Sequence, residues 1–406
     1  MPGLYDAFGT DSFDELYEEY ERSDVSRKTI KAQQLLLDLL KERAETGRIY
    51  IMNIDHCNSH SSFTDKVEMS NLCQEITLPT KPVQHIDDEN GEIALCILSA
   101  INIGKIRDVQ DLETLCDLSV RSLDELIDFQ RYPVKAAELA TRARRSLGIG
   151  YIGLAHYLAK QGVKYDDPKA WKIVHDLTES FQYYLIKSSV NLAKEKGACE
   201  YSNRTKYSHG ILPIDTYKKD IDEIVPNKLN HDWESLREEV KQYGIRNSTL
   251  SAQMPSESSS VVSNATNGIE PPRGYLSIKK SKKGPLKQIV PSYNTLKNNY
   301  TLLWDMKGNT GYINVVAVMQ KFFDQAISGN WSYNPQHFEG SEVPTSVMAQ
   351  DLLTTYKYGW KTSYYQNTYD VKTDEVESDT QENQLDTLIE DIMSSDQEEV
   401  CESCAI

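Results

Sequence analysis

The sequence predicts an α/β fold. Long stretches with apolar residues at helical spacing alternate with short runs dense in β-branched, aromatic or aliphatic residues, as in strands. With 406 residues, of which 39% are hydrophobic, a sizeable core is available to two or three domains or to one large one.

After an irregular acidic start, residues 28–45 carry Ile30, Leu35, Leu36, Leu39 and Leu40 at helical spacing, and Thr46-Gly47 supplies a glycine stop. An amphipathic helix is expected there, followed by a strand over RIYIMN at 48–53. His56-Cys57-Asn58-Ser59-His60 offers two imidazoles and a thiol within five positions. A structural zinc site needs four ligands and no matching Cys/His pair lies nearby, so these read as polar turn residues near a pocket.

Met69-Ser70-Asn71-Leu72-Cys73-Gln74-Glu75 concentrates more chemistry than packing requires. In an extended segment the amide of Asn71, the thiol of Cys73 and the carboxyl of Glu75 would share one face, enough to act on a small hydroxyl-bearing substrate. Residues 92–100 are mostly apolar and short, as a buried strand would be, and Cys96 within them reads on its own as core packing.

The pattern from 109 to 160 is helical. It contains Gly148-Ile149-Gly150-Tyr151-Ile152-Gly153, a formal match to the dinucleotide fingerprint. That fingerprint requires a preceding strand, whereas 137–147 reads as helix, so the glycines are taken to permit close packing. Helix continues through 171–196. Ser256-Glu257-Ser258-Ser259 would suit a phosphate at a helix start, with a plain N-cap as the alternative. Lys279, Lys280, Lys282, Lys283 and Lys287 read as a solvated loop, and 302–331 as mixed strand and helix.

Tyr364-Tyr365 is an adjacent phenol pair, suited to redox partnership or to packing. Residues 371–400 are acidic and polar, the composition of a disordered tether, ending in Cys401-Glu402-Ser403-Cys404. A dithiol with no core to pack into suits redox exchange, zinc capture being the alternative.

The formal charge of −17 argues against free nucleic acid or an anionic membrane as partner. No apolar run reaches bilayer length and the N-terminus has no signal-like pattern, so a cytoplasmic protein is expected. Seven scattered cysteines form no disulfide framework.

Together, SNLCQEITLPT (70–80), GEIALCILSA (91–100), RNSTLSAQMPSESSSVVSNATNGIEPPRGY (246–275), KTSYYQNT (361–368) and the terminal dithiol closely resemble the large, catalytic subunit of aerobic class I ribonucleotide reductase. The resemblance runs from Pro2 to the last residue. It implies part of a ten-stranded α/β barrel, two parallel halves of five, with a loop bearing the radical cysteine threading the centre. Residues 1–370 would be the C-terminal portion of that barrel domain and 371–406 a flexible acidic tail.

By the same resemblance, Cys73 becomes a thiyl radical that removes the 3′-hydrogen of a ribonucleoside diphosphate. Glu75 is the base on the 3′-hydroxyl and Asn71 its hydrogen-bonding neighbour. Cys96 is half of a reducing cysteine pair that Cys401 and Cys404 re-reduce; their C-x-x-C spacing departs from the family's familiar C-x-x-x-x-C. Tyr364 and Tyr365 relay the radical, and Ser256, Glu257, Ser258 and Ser259 hold the diphosphate. The implied partners are a di-metal, radical-generating small subunit and thioredoxin or glutaredoxin, with no metal or other cofactor on this chain.

Family chains are much longer. The expected gaps are an N-terminal helical region, any activity-regulating ATP module, most of the effector-binding specificity site, and the first barrel strand with the partner of Cys96. Cys57 lies too near the radical loop to be that partner, and Cys116 and Cys199 lie in helical, packing-type contexts. A divided subunit, completed by a companion chain with the N-terminal portion, is therefore expected, and Met1 directly before Pro2 would suit such a division; a longer chain cut short at that point would look the same. Two other readings stand beside it: an inactive scaffold or regulatory remnant, and a thiol-disulfide carrier working through the tail dithiol.

Overall fold

The computed structural model describes residues 3–10, 12–281 and 284–370. The tail from 371 onward, with Cys401 and Cys404, lies outside the described residues, as do Lys282 and Lys283. The irregular start expected from composition is helical instead: α1 (Leu4–Ala7) and α2 (Ser12–Arg22). α2 buries no residue. Asp14 and Glu15 in its first turn and Arg22 in its last complement the helix dipole, a signal that acidity alone concealed.

α3 (Ala32–Thr46) ends where expected, at Gly47 with φ 69°, whose N–H closes on the Arg43 carbonyl. Only glycine suits that cap, because a Cβ would lie 2.8 Å from the Gln366 carbonyl oxygen. Its amphipathic face is covered only in part: Leu40 and Arg43 are buried, whereas Leu35, Leu36 and Leu37 are exposed. The strand expected at 48–53 shrinks to β1 (Ile51–Met52), and the residues read as a polar turn form a short helix, α4 (Ile54–Ser59).

β2 (Ile97–Asn102) starts later than predicted and is not buried as expected; only Ile101 is fully enclosed. The stretch read as continuous helix divides into α5 (Asp111–Phe129), α6 (Lys135–Arg144), β3 (Leu147–Ile152) and α7 (Leu154–Lys160). Arg145, with φ 48°, ends α6 in a left-handed residue, so helical periodicity cannot run through. The glycine pattern is thus a fully buried strand. The close-packing role holds: a Cβ on Gly148 would stand 2.7 Å from the Cys96 sulfur, and one on Gly150 2.7 Å from the Ala252 carbonyl oxygen.

The long helix α8 (Pro168–Lys196) starts on an Asp167 cap that accepts from the Lys169 N–H. Then follow α9 (Pro213–Thr216), α10 (Trp233–Tyr243), α11 (Glu257–Val262), β4 (Leu276–Ser281) and β5 (Gly284–Ile289). β4 and β5 pair antiparallel, so Lys279, Lys280 and Lys287 lie in strands and not in the loop expected, although Lys287 is exposed. The chain continues through α12 (Tyr293–Leu296), α13 (Thr310–Gln320), β6 (Trp331–Tyr333), α14 (Thr345–Lys357), β7 (Thr362–Ser363) and β8 (Gln366–Thr368).

Five segments run parallel and hydrogen-bonded side by side: β2, β3, residues 249–253, residues 325–333 and residues 363–368. The first pair is in register from Ile97 beside Leu147 to Asn102 beside Ile152, and β6 pairs with β8 at the far side. Among the described residues β2 pairs only with β3, and Leu95 and Leu98 beside its open edge are exposed. One apolar core, including Phe181, Phe323, Tyr151 and Trp331, packs α5, α8 and α13 against this sheet. No described helix is long and apolar enough to cross a membrane.

Two buried charges tie the core to the sheet. The carboxylate of Asp324 accepts from the Leu250 and Ser251 amides, the Ser251 hydroxyl and the Tyr207 phenol. The Lys361 ammonium donates to the carbonyls of Asp324 and Gln325 at 2.8 and 2.9 Å, and burial drives its pKa down to about 7.

Candidate active site

The Asn71–Glu75 stretch is not extended. The Gln74 amide donates back to the Asn71 carbonyl at 3.1 Å and Gln74 adopts φ 70°, making a tight turn. The alternation argument therefore fails, and tertiary hydrogen bonds gather the groups instead. The Ala326 N–H holds the Glu75 carbonyl at 3.0 Å, the Thr362 hydroxyl holds the Gln74 carbonyl at 2.9 Å, and the Ser328 hydroxyl donates to the Cys73 carbonyl. The turn thereby lies across two neighbouring segments of the parallel sheet.

Cys73 is half-buried, and Glu75, 3% exposed, has Oε2 3.2 Å from the Ser328 hydroxyl. Asn71 turns its side-chain oxygen onto the Ile76 N–H at 3.1 Å, closing the loop on itself.

The Tyr364 phenol reaches the Cys73 sulfur at 3.5 Å. Tyr364 and Tyr365 have ring centroids 4.1 Å apart with planes tilted by 47°. A third phenol, Tyr50, packs 4.8 Å from Tyr364 and 5.4 Å from Tyr365. Burial, then hydrogen bonds to Cys73 and Tyr365, hold the Tyr364 phenol well above its ordinary pKa. Hydrogen bonds to Tyr364 and then Tyr50 lower that of Tyr365. Arg43, buried beneath the pair, donates to the carbonyls of Ile49, Tyr364 and Tyr365, with its guanidinium 4.6 Å from the centre of the Trp331 ring.

Cys96 precedes β2 on the other side of the turn. The Gln325 side-chain N–H approaches its sulfur at 3.5 Å, while burial, with Glu75 and Asp324 in electrostatic reach, pushes its pKa up to about 12. The other described thiols are buried elsewhere: Cys57 against the Lys361 carbonyl, Cys116 against that of Phe181, and Cys199 in the coil after α8 rather than in a helix. The imidazole nitrogens of His60 are engaged by Thr216 and the Gln320 carbonyl, and Nδ1 of His56 by the Trp360 carbonyl.

Ser256 begins α11 in a left-handed conformation, φ 56°, and its side chain makes no capping bond. Its hydroxyl is buried without a partner, which the plain N-cap reading does not account for. Glu257, Ser258 and Ser259 are exposed at the same helix start.

Arg43, Tyr50, Gln325 and Ser328 carried no sequence signal. Each acts through a partner distant in the chain, and only the RIYIMN strand pattern gave Tyr50 a place at all.

A thiol in contact with a phenol chain, beside a carboxylate on the same turn, can pass hydrogen atoms between oxygen and sulfur and accept protons close by. The family model for the ribonucleotide reductase barrel domain matches residues 1–301 and 293–366. The ribonucleoside-diphosphate reductase subunit alpha of Haemophilus influenzae is 58% identical over 376 residues, covering 91% of this chain and 50% of that protein. The ribonucleoside-diphosphate reductase 1 subunit alpha of Escherichia coli K12 is 53% identical over 411 residues, covering 100% of this chain and 52% of that protein. The subunit alpha of phage T4 is 45% identical over 379 residues, 91% of this chain and 50% of that protein. The chain belongs to the ribonucleotide reductase family, within its barrel domain. It spans about half the length of the curated relatives it matches.

Proposed function

We propose that the chain is the catalytic C-terminal portion of a ribonucleotide reductase alpha subunit, reducing ribonucleoside diphosphates to 2′-deoxyribonucleoside diphosphates. The observation that carries this reading is the 3.5 Å contact from the Tyr364 phenol to the Cys73 sulfur, on the turn that also bears Glu75.

In this reading a radical from a di-metal small subunit passes through Tyr365 and Tyr364 to Cys73. The Cys73 thiyl takes the 3′-hydrogen atom, and Glu75 takes the 3′-hydroxyl proton. The 2′-hydroxyl leaves as water with one proton from the cysteine pair; that pair gives its second proton and two electrons, the hydrogen going to C2′, and closes as a disulfide. Glu75 then returns its proton to the 3′-oxygen and Cys73 its hydrogen atom to C3′. Cys96 is one member of the pair. The other belongs to a companion chain with the N-terminal portion, which completes the ten-stranded barrel and holds most of the effector sites. Ser256, Glu257, Ser258 and Ser259 hold the diphosphate, and the unpartnered Ser256 hydroxyl supports that role. Cys401 and Cys404 reset the disulfide and are themselves reduced by thioredoxin or glutaredoxin.

The test is reduction of a ribonucleoside diphosphate by the chain mixed with a companion N-terminal chain, the small subunit and a reductant. Turnover is expected only in the full mixture. No turnover there overturns the enzyme reading; turnover with the small subunit alone overturns the divided-subunit reading. Tyr364→Phe should reduce turnover to background while costing about 1 kcal/mol of stability in chemical denaturation, the worth of one hydrogen bond.

A further inference from the structure

We infer that Arg43 keeps the radical on the tyrosine pair by holding the neighbouring indole of Trp331 in its reduced state, an inference that rests on the catalytic reading above. An indole gives up an electron about as readily as a phenol does. Trp331 is joined directly to the relay, since its backbone N–H donates to the Tyr365 carbonyl at 2.9 Å. It is therefore a side exit for a radical on Tyr365.

The exit reaction moves one electron and one proton. A phenoxyl radical on Tyr365 takes an electron from the indole and a proton from solvent, which reaches this half-buried residue, and returns to the phenol. Trp331 becomes a radical cation, and becomes a neutral indolyl radical only by giving its Nε1 proton to an acceptor.

Both stages are opposed. The Arg43 guanidinium stands 4.6 Å from the centre of the fully buried Trp331 ring, so a second positive charge would form close to the first and away from water. Bonds to the carbonyls of Ile49, Tyr364 and Tyr365 pin the guanidinium there. Burial lowers the Arg43 pKa only to about 10, so the charge is present at neutral pH. The buried indole N–H of Trp331 has no acceptor among the described residues. Those of Trp171, Trp233 and Trp360 do have one, in the Tyr165 carbonyl, the Glu179 carboxylate and the Ile313 carbonyl. The tyrosines escape this penalty, because a phenol that loses its proton with its electron leaves a neutral radical. Arg43 also bonds their backbone carbonyls and not their hydroxyls.

The test has two arms. In the complete enzyme mixture, Arg43→Gln, which keeps an N–H donor without the charge, should lower turnover about fivefold or more, whereas in a Trp331→Phe background it should cost less than about twofold. Equal losses in the two backgrounds make Arg43 a structural anchor alone and overturn the inference. In the full chain alone, treated with a ruthenium photo-oxidant and persulfate, peptide mass spectrometry should find Trp331 oxidised about tenfold less than the comparably buried Trp360. Arg43→Gln should narrow that gap. No gap in the wild-type chain overturns the inference even where the variant does not fold, and an unchanged gap in folded Arg43→Gln overturns it too. Absence of turnover by the wild-type mixture overturns the catalytic reading alone.

Discussion

Cys73, Glu75 and Tyr364 meet because the backbone of a turn is held in three places by side chains and amides of the sheet, not because they alternate along a strand. The motif was legible as a collection of reactive residue types; its geometry was not. Arg43 reaches Tyr364 across 321 positions, and such a pairing leaves no trace in local spacing. Gln325 is a second case, its side chain clasped between Cys96, the Leu147 carbonyl and the Thr77 amide. The N–H directed at sulfur favours the thiolate, so Gln325→Leu should raise the Cys96 pKa further. Alkylation of Cys96 at pH 9, followed by peptide mass spectrometry, should slow about threefold, corresponding to half a pKa unit.

Among elements, those whose boundaries are set locally were readable: α3 stops at its glycine, and α8 runs its expected course behind an Asp-Pro start. β3 was missed because it is buried on both faces and has no polar alternation, a pattern that periodicity cannot separate from buried helix. The segment 325–333 is fixed at its start by the buried Asp324 carboxylate, which accepts from the Leu250 and Ser251 amides, and by Lys361, which donates to the Asp324 and Gln325 carbonyls. The Lys361 ammonium has an ordinary pKa of about 10.4 in an unfolded chain but about 7 in the fold. Between these values the unfolded chain holds the proton and the folded chain does not, so stability rises with pH across that window and this contribution is lowest below pH 7. From pH 7 to 8.5, urea denaturation should show a gain of up to about 1.4 kcal/mol per pH unit from this group. Lys361→Met should be less stable throughout and lack that slope.

For the whole molecule, the α/β class was legible from alternating segments, but the open edge was not, since 92–100 reads as buried sequence. The Ile97 amide donates toward Ser146, so the amides of Leu98 and Ala100 point away from β3. Hydrogen exchange at those two amides should slow when the proposed companion chain is added, and unchanged exchange in a catalytically competent mixture would place the contact elsewhere. At the opposite border of the sheet, one guanidinium grips the carbonyls of both radical-relay candidates while standing on α3. The phenol pair and that helix are thus mechanically one body. The tolerance on the 4.1 Å ring spacing is then governed by the stiffness of the α3 attachment as well as by the rings themselves, so a load applied to the helix surface would detune the relay without touching either tyrosine.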